Sequence, residues 1–140
     1  MNNERLPNPK DGKTKNLFRF LEWQVYKDAR EFRKKVKQEI KVHFPPEEKY
    51  RLAGQIERAL SSICLNIAEG SNKLSDIELS RYLNNASGSL EEVVSGLDLA
   101  RNDGYISNDI FNALVKDAEN IGRQLIAFGK SARNNGKTKQ

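Results

Sequence analysis

The sequence predicts an all-α protein, an antiparallel up-and-down four-helix bundle with flexible N- and C-terminal tails. Three observations point there. Apolar residues recur at steps of three and four in four separate stretches. No stretch alternates with period two over a useful length, and the links between stretches are short and marked by Pro, Gly or Ser. Finally, 37% apolar and 31% charged residues in 140 suit one core of helices with much of their surface in water, and not a thick sheet core.

Residues 1–16 combine prolines, a glycine and asparagines with mixed charges and no periodic apolar residue, a flexible arm. The bundle itself spans 17–129. Leu17 to His43 reads as the first helix, with Val25, Ala29, Phe32, Val36 and Ile40 on its apolar face. Phe44-Pro45-Pro46 ends it, because a residue before proline avoids helical angles; Pro46, Glu47 and Glu48 suit the first turn of the next. That second helix carries Leu52, Ile56, Ala59, Ile63 and Ile67 toward the core and is expected to stop at Gly70 in a left-handed conformation. Ser75 and Glu78 form a capping box for a third helix, whose apolar face uses Leu79, Tyr82 or Leu83, Ala86, Leu90, Val93 or Val94, Leu97 and Ala100. Gly88 lies inside it and predicts a close helix crossing that offsets its cost of ~1 kcal/mol relative to alanine. Gly104 marks the stop. Ser107 or Asn108 caps a fourth helix with Ile110, Leu114, Ala118, Ile121, Leu125 and Phe128 inward, and residues 130–140 read as a basic tail without a core face.

The net charge is +5, and it is unevenly distributed. Residues 17–43 carry eight basic groups against four acids, residues 44–106 six against ten, and residues 129–140 four against none. Such segregation suits a polyanionic partner. On the first helix Lys27, Arg30, Lys34, Lys37 and Lys41 step by three and four with no acid among them, an arc of about 80° on helical geometry. The stripe is either a solvated charged face or a ridge that tracks phosphates. Trp23, one turn before Lys27, then becomes an aromatic at its end or an oligomer contact. With Lys130, Arg133, Lys137 and Lys139 of the tail, these lysines and arginines are the candidate nucleic-acid-binding residues, for RNA or DNA through phosphate contacts. On the second helix a polar row, Gln55, Arg58, Ser62, Asn66 and Glu69, runs beside the apolar stripe. Either it hydrogen-bonds across a helix pair or a subunit boundary, or it is the wet flank of an amphipathic helix.

Other chemistry has little to stand on. Cys64 is the single cysteine, so no internal disulfide can form, and a mid-helix position makes it a small buried hydrophobe. His43 has no ligand neighbour at zinc spacing, and no metal or cofactor is expected. There is no Glu-x-x-His pair, phosphate loop, nucleophile elbow or Cys/His dyad, so the protein is not expected to be an enzyme. No segment is apolar enough to span a bilayer and the N-terminus lacks a signal core, so a cytoplasmic protein is expected.

Several stretches resemble one known family, the ribosomal RNA intervening-sequence proteins. The resemblance begins at Leu21-Glu22-Trp23-Gln24 and is densest in Phe44-Pro45, Glu48, Tyr50, Gln55-Ile56, Arg58-Ala59, Ser62-Ile63 and Asn66-Ile67-Ala68-Glu69-Gly70. It continues through Tyr82-Leu83, Ala86, Gly88-Ser89-Leu90 and Gly104-Tyr105-Ile106. The resemblance implies a homopentamer of four-helix subunits with a basic surface. Related bundles serve as accessory proteins to the reverse transcriptases of diversity-generating retroelements, which makes such an enzyme a second candidate partner. Leu74, Asp76 and Leu79 depart from the family's usual pattern between the second and third helices.

Overall fold

Apolar stripes on four rods leave few ways to exclude water, and the computed structural model, described here for residues 17–139, adopts the simplest. Helices α1 (Gln24–His43), α2 (Leu52–Ser71), α3 (Asp76–Asn102) and α4 (Asn108–Lys139) run up, down, up and down. The neighbours along α2 and α3 give the antiparallel sense: Ile56 meets Gly96, Ser62 meets Ser89, and Gly70 meets Leu79 and Tyr82. α3 and α4 pair the same way, with Leu90 against Gly122 and Ile77 against Gly136. α1 lies over the seam of α2 and α4. The expected core stripes are buried, with Leu52, Ile110 and Phe128 partly buried against them, and Leu83 and Val93 take the inward places left open on α3. Cys64 is buried as a small hydrophobe, and burial pushes its thiol pKa up.

Local signals worked where local chemistry decides. Ser75 Oγ accepts from Glu78 N at 3.1 Å, and Ser107 Oγ accepts from Ile110 N at 3.1 Å, so Ser107 is the cap of α4. Gly104 has φ 82°, and Tyr105 N donates to Ala100 O while Gly104 N donates to Arg101 O, the paired bonds of a Schellman ending.

Five expectations are corrected. Arg19–Glu22 form a separate 3-10 turn and Trp23 is extended (ψ 130°), so the helix starts at Gln24 and not at Leu17. The corner after α1 likewise holds a 3-10 turn at Pro46–Glu48 before α2 starts at Leu52. Gly70 does not end α2 in a left-handed conformation: the helix runs one residue further, and a Cβ at Gly70 would lie 2.8 Å from Tyr82 Cβ. Its glycine serves close approach to α3. Gly88, the expected crossing, faces open space, whereas at Gly96 a Cβ would fall 2.5 Å from Ile56 Cγ1. Finally, α4 does not stop at Gly129 but continues to Lys139, so the basic tail of the sequence reading is helical over 130–139. Gly129, Ala132 and Gly136, at steps of three and four, are buried against the start of α3. Small residues form the core face there, which an inventory of large apolar residues overlooks. The arm at 1–16 lies outside the described residues.

Candidate nucleic-acid interface

Between α1 and the start of α2 runs a groove of about 840 Å³ whose cationic lining is Arg30, Arg33, Lys34, Lys37, Lys41 and Lys49. The periodicity of α1 puts four of these on one face, Arg33 lies one turn before Lys37, and the Pro45-Pro46 corner folds Lys49 back toward them. No carboxylate among the described residues lies within ion-pair distance of any of the six. Glu31 and Glu57 reach the groove without neutralising it. Arg33 Nε instead donates to Ser61 Oγ at 3.1 Å, and the Arg30 guanidinium sits 5.6 Å from the Tyr26 ring. Six cations with only two acids among them and no ion pair repel one another, which a polyanion relieves.

The end of the groove is set by a polar lock. Phe44, in the lining, packs on Tyr105 at 5.4 Å, and Tyr105 donates to Glu48 Oε2 at 2.8 Å while Glu48 Oε1 accepts from Leu52 N. The Tyr105 hydroxyl and then the Leu52 N–H hold the Glu48 carboxyl below the usual range. The same bond, with burial behind it, pushes Tyr105 up to about 12.

The candidate residues divide as follows. Arg30, Lys34, Lys37 and Lys41 converge on the groove; Arg33 and Lys49 join them and were missed. The spacing of Arg33 from Lys37 was the available signal, whereas Lys49 arrives through a tertiary turn. Lys27 stands outside, 3.8 Å from Glu22. Lys130 and Arg133 are exposed on α4 beyond Phe128, which packs on Trp23, so they stand at the other end of the bundle from Lys41. The side chains of Lys137 and Lys139 lie outside the described residues.

Trp23 is not a surface aromatic at the end of the ridge. It is fully buried, edge-on to Phe128 at 5.0 Å, because the extended residue before a helix does not follow the helical register. It is a helix-packing residue. The polar row of α2 resolves too: Ser62 and Ser89 share a hydrogen bond of 2.8 Å, and Asn66 Nδ2 donates to Ser62 O and Oγ, which makes this part a helix-pair contact. Gln55, Arg58 and Glu69 are exposed.

Among the described residues no group of three or more His, Cys, Asp or Glu side chains could hold a metal ion. No helix there is long and apolar enough to cross a membrane.

Comparison with known proteins places this geometry. The sequence model described as "23S rRNA-intervening sequence protein" matches residues 22–127. Among solved structures, the chain is similar to a protein of unknown function from the S23 ribosomal protein family of Bacteroides thetaiotaomicron VPI-5482. The identity is 23% with a TM-score of 0.67, over 76% of this chain and 98% of that one. At that identity the likeness speaks for the fold. No protein of curated function matches the chain.

Proposed function

The chain belongs to the 23S rRNA-intervening sequence protein family, and from that premise we propose that it is a non-enzymatic, homo-oligomeric scaffold that binds RNA or DNA through phosphate contacts. The single observation that supports this reading most is the groove of unneutralised cations between α1 and α2. Phosphate contact gives affinity and orientation but little base discrimination, so binding is multivalent and steeply salt-dependent. A pentamer, which the family resemblance implies, would repeat the groove around the assembly and raise avidity without any new contact. Leu74, Leu99 and Ile126, all left in water, offer apolar area for self-association.

The test is the triple variant Lys34→Glu/Lys37→Glu/Lys41→Glu, assayed for retention of labelled RNA and DNA on filters at low salt, with light scattering for mass. Loss of retention at unchanged mass and helicity supports the groove; unchanged retention removes it.

A protein partner, an accessory role to a retroelement reverse transcriptase, is the second reading. It is favoured by Gln55 and Glu69, exposed on α2 with side chains that make no hydrogen bond among the described residues. Co-purification of a polymerase that survives nuclease treatment would support it.

A further inference from the structure

Helical periodicity assigns no role to Tyr50, between Lys49 and Arg51, and the fold gives it a place. Tyr50 is 85% exposed, on the turn that leads from Pro46–Glu48 into α2. Among the described residues its ring packs on no other aromatic, and the Lys49 ammonium lies 5.3 Å from its centroid. The ring faces a second groove of about 780 Å³, lined also by Arg33, Lys37, Lys49, Arg58 and Leu65. Arg33, Lys37 and Lys49 line the first groove as well, so this second channel adjoins the first.

A tyrosine left in water beside cations, with an apolar Leu65 (64% exposed) in the same lining, is an incomplete stack. Along its length a duplex cannot complete it, because its bases are stacked on one another and offer only their edges in the grooves. An unpaired base can, since every base has a π-face and the flanking lysines and arginines match the adjoining phosphates. We propose that this channel takes single-stranded nucleic acid, with one base stacked on Tyr50 and neighbouring phosphates held by Lys37, Lys49 and Arg58. The proposal rests on the phosphate-binding reading above and narrows it to unpaired strands. Tyr50 thereby supplies the aromatic beside a cationic ridge that was one of the two expectations for Trp23.

Fluorescence anisotropy with four labelled probes tests it: an unstructured RNA of about 12 nucleotides, within the range of known single-strand sites, its DNA counterpart, a blunt duplex, and an abasic strand of equal length. Tyr50→Ala should weaken both base-bearing single strands about tenfold, the scale of one lost base–aromatic stack. Duplex and abasic strand should stay within about twofold, because phosphate contacts are untouched. Tyr50→Trp should restore the single-strand affinity. Equal affinities of Tyr50→Ala and the parent protein for base-bearing strands overturn the stack while leaving the phosphate reading in place. A change confined to the mass by light scattering also overturns it and assigns the ring to a contact between copies. If the parent protein binds none of the four probes at low salt, the phosphate reading itself fails and this inference with it. Tyr50 is exposed on a turn, so its variants should fold, and unchanged helicity confirms that each outcome reports binding.

Discussion

α1 is bounded by two grooves that differ in one respect. On the α4 side, Asp28 accepts from Gln124 at 2.7 Å and from Asn120 at 3.2 Å, and Lys35 pairs with Asp117 at 2.8 Å. Acids and bases alternate there, and the seam is closed by its own partners. Among the described residues, the cations on the α2 side meet no carboxylate at ion-pair distance, and one polar bond, Arg33 to Ser61, crosses between the two helices. One helix thus carries a seam that is complete and one that is not. The facing helix makes the difference: four acids against two lysines line the α4 side, and six cations against two acids line the α2 side.

The largest expected effect breaks the incomplete side. Reversing Lys34, Lys37 and Lys41 should reduce nucleic-acid affinity roughly a hundredfold at low salt and flatten the salt dependence by about 0.7–0.9 in slope per lost phosphate contact, read from titrations at several salt concentrations. The fold should persist, since among the described residues these side chains make no ion pair or hydrogen bond.

Next comes the closed side. Asp28→Ala strands donors from Gln24, Asn120 and Gln124 and should cost about 1–2 kcal/mol in urea unfolding. Its nucleic-acid affinity should stay that of the parent, and a matching loss of affinity would blur the distinction between the two sides.

A subtler effect concerns the lock at the groove's end. Because the folded Glu48 pKa is lowered, its contribution to stability is present above the ordinary carboxylate range and fades as pH falls through the folded value. The folded Tyr105 pKa is raised from 10.0 to about 12, so its contribution is present below pH 10 and fades as pH rises through about 12. Tyr105→Phe should therefore differ from the parent most between those limits and converge with it at both extremes, as chemical unfolding across pH would show.

The smallest effect belongs to Lys35→Ala. Its ion pair is more than a third exposed on both partners, so the loss should be about 0.2–1 kcal/mol and should shrink further in salt.

The same contrast explains what could be read beforehand. Helix stripes, the Ser75 cap and the Gly104 stop depend on residues close in sequence, and each was legible. Gly70 and Gly96 depend on which neighbour crosses them, and nothing local distinguishes them from the open Gly88. The α1 cations were visible as a stripe, but their freedom from counter-charges is a property of α2. Trp23 is buried against expectation and Tyr50 drew none, because one residue sits before a helical register and the other on a turn, where periodicity does not assign a direction.

The length of α4 bears on how the protein is handled. A truncation after Gly129 would look harmless on charge and composition, yet it would remove the buried Ala132 and Gly136 and bare Ile77 at the opening of α3. The newly wetted apolar strip would favour clumping, and an assay on such a trimmed chain would register stickiness where the intact protein offers a finished wall.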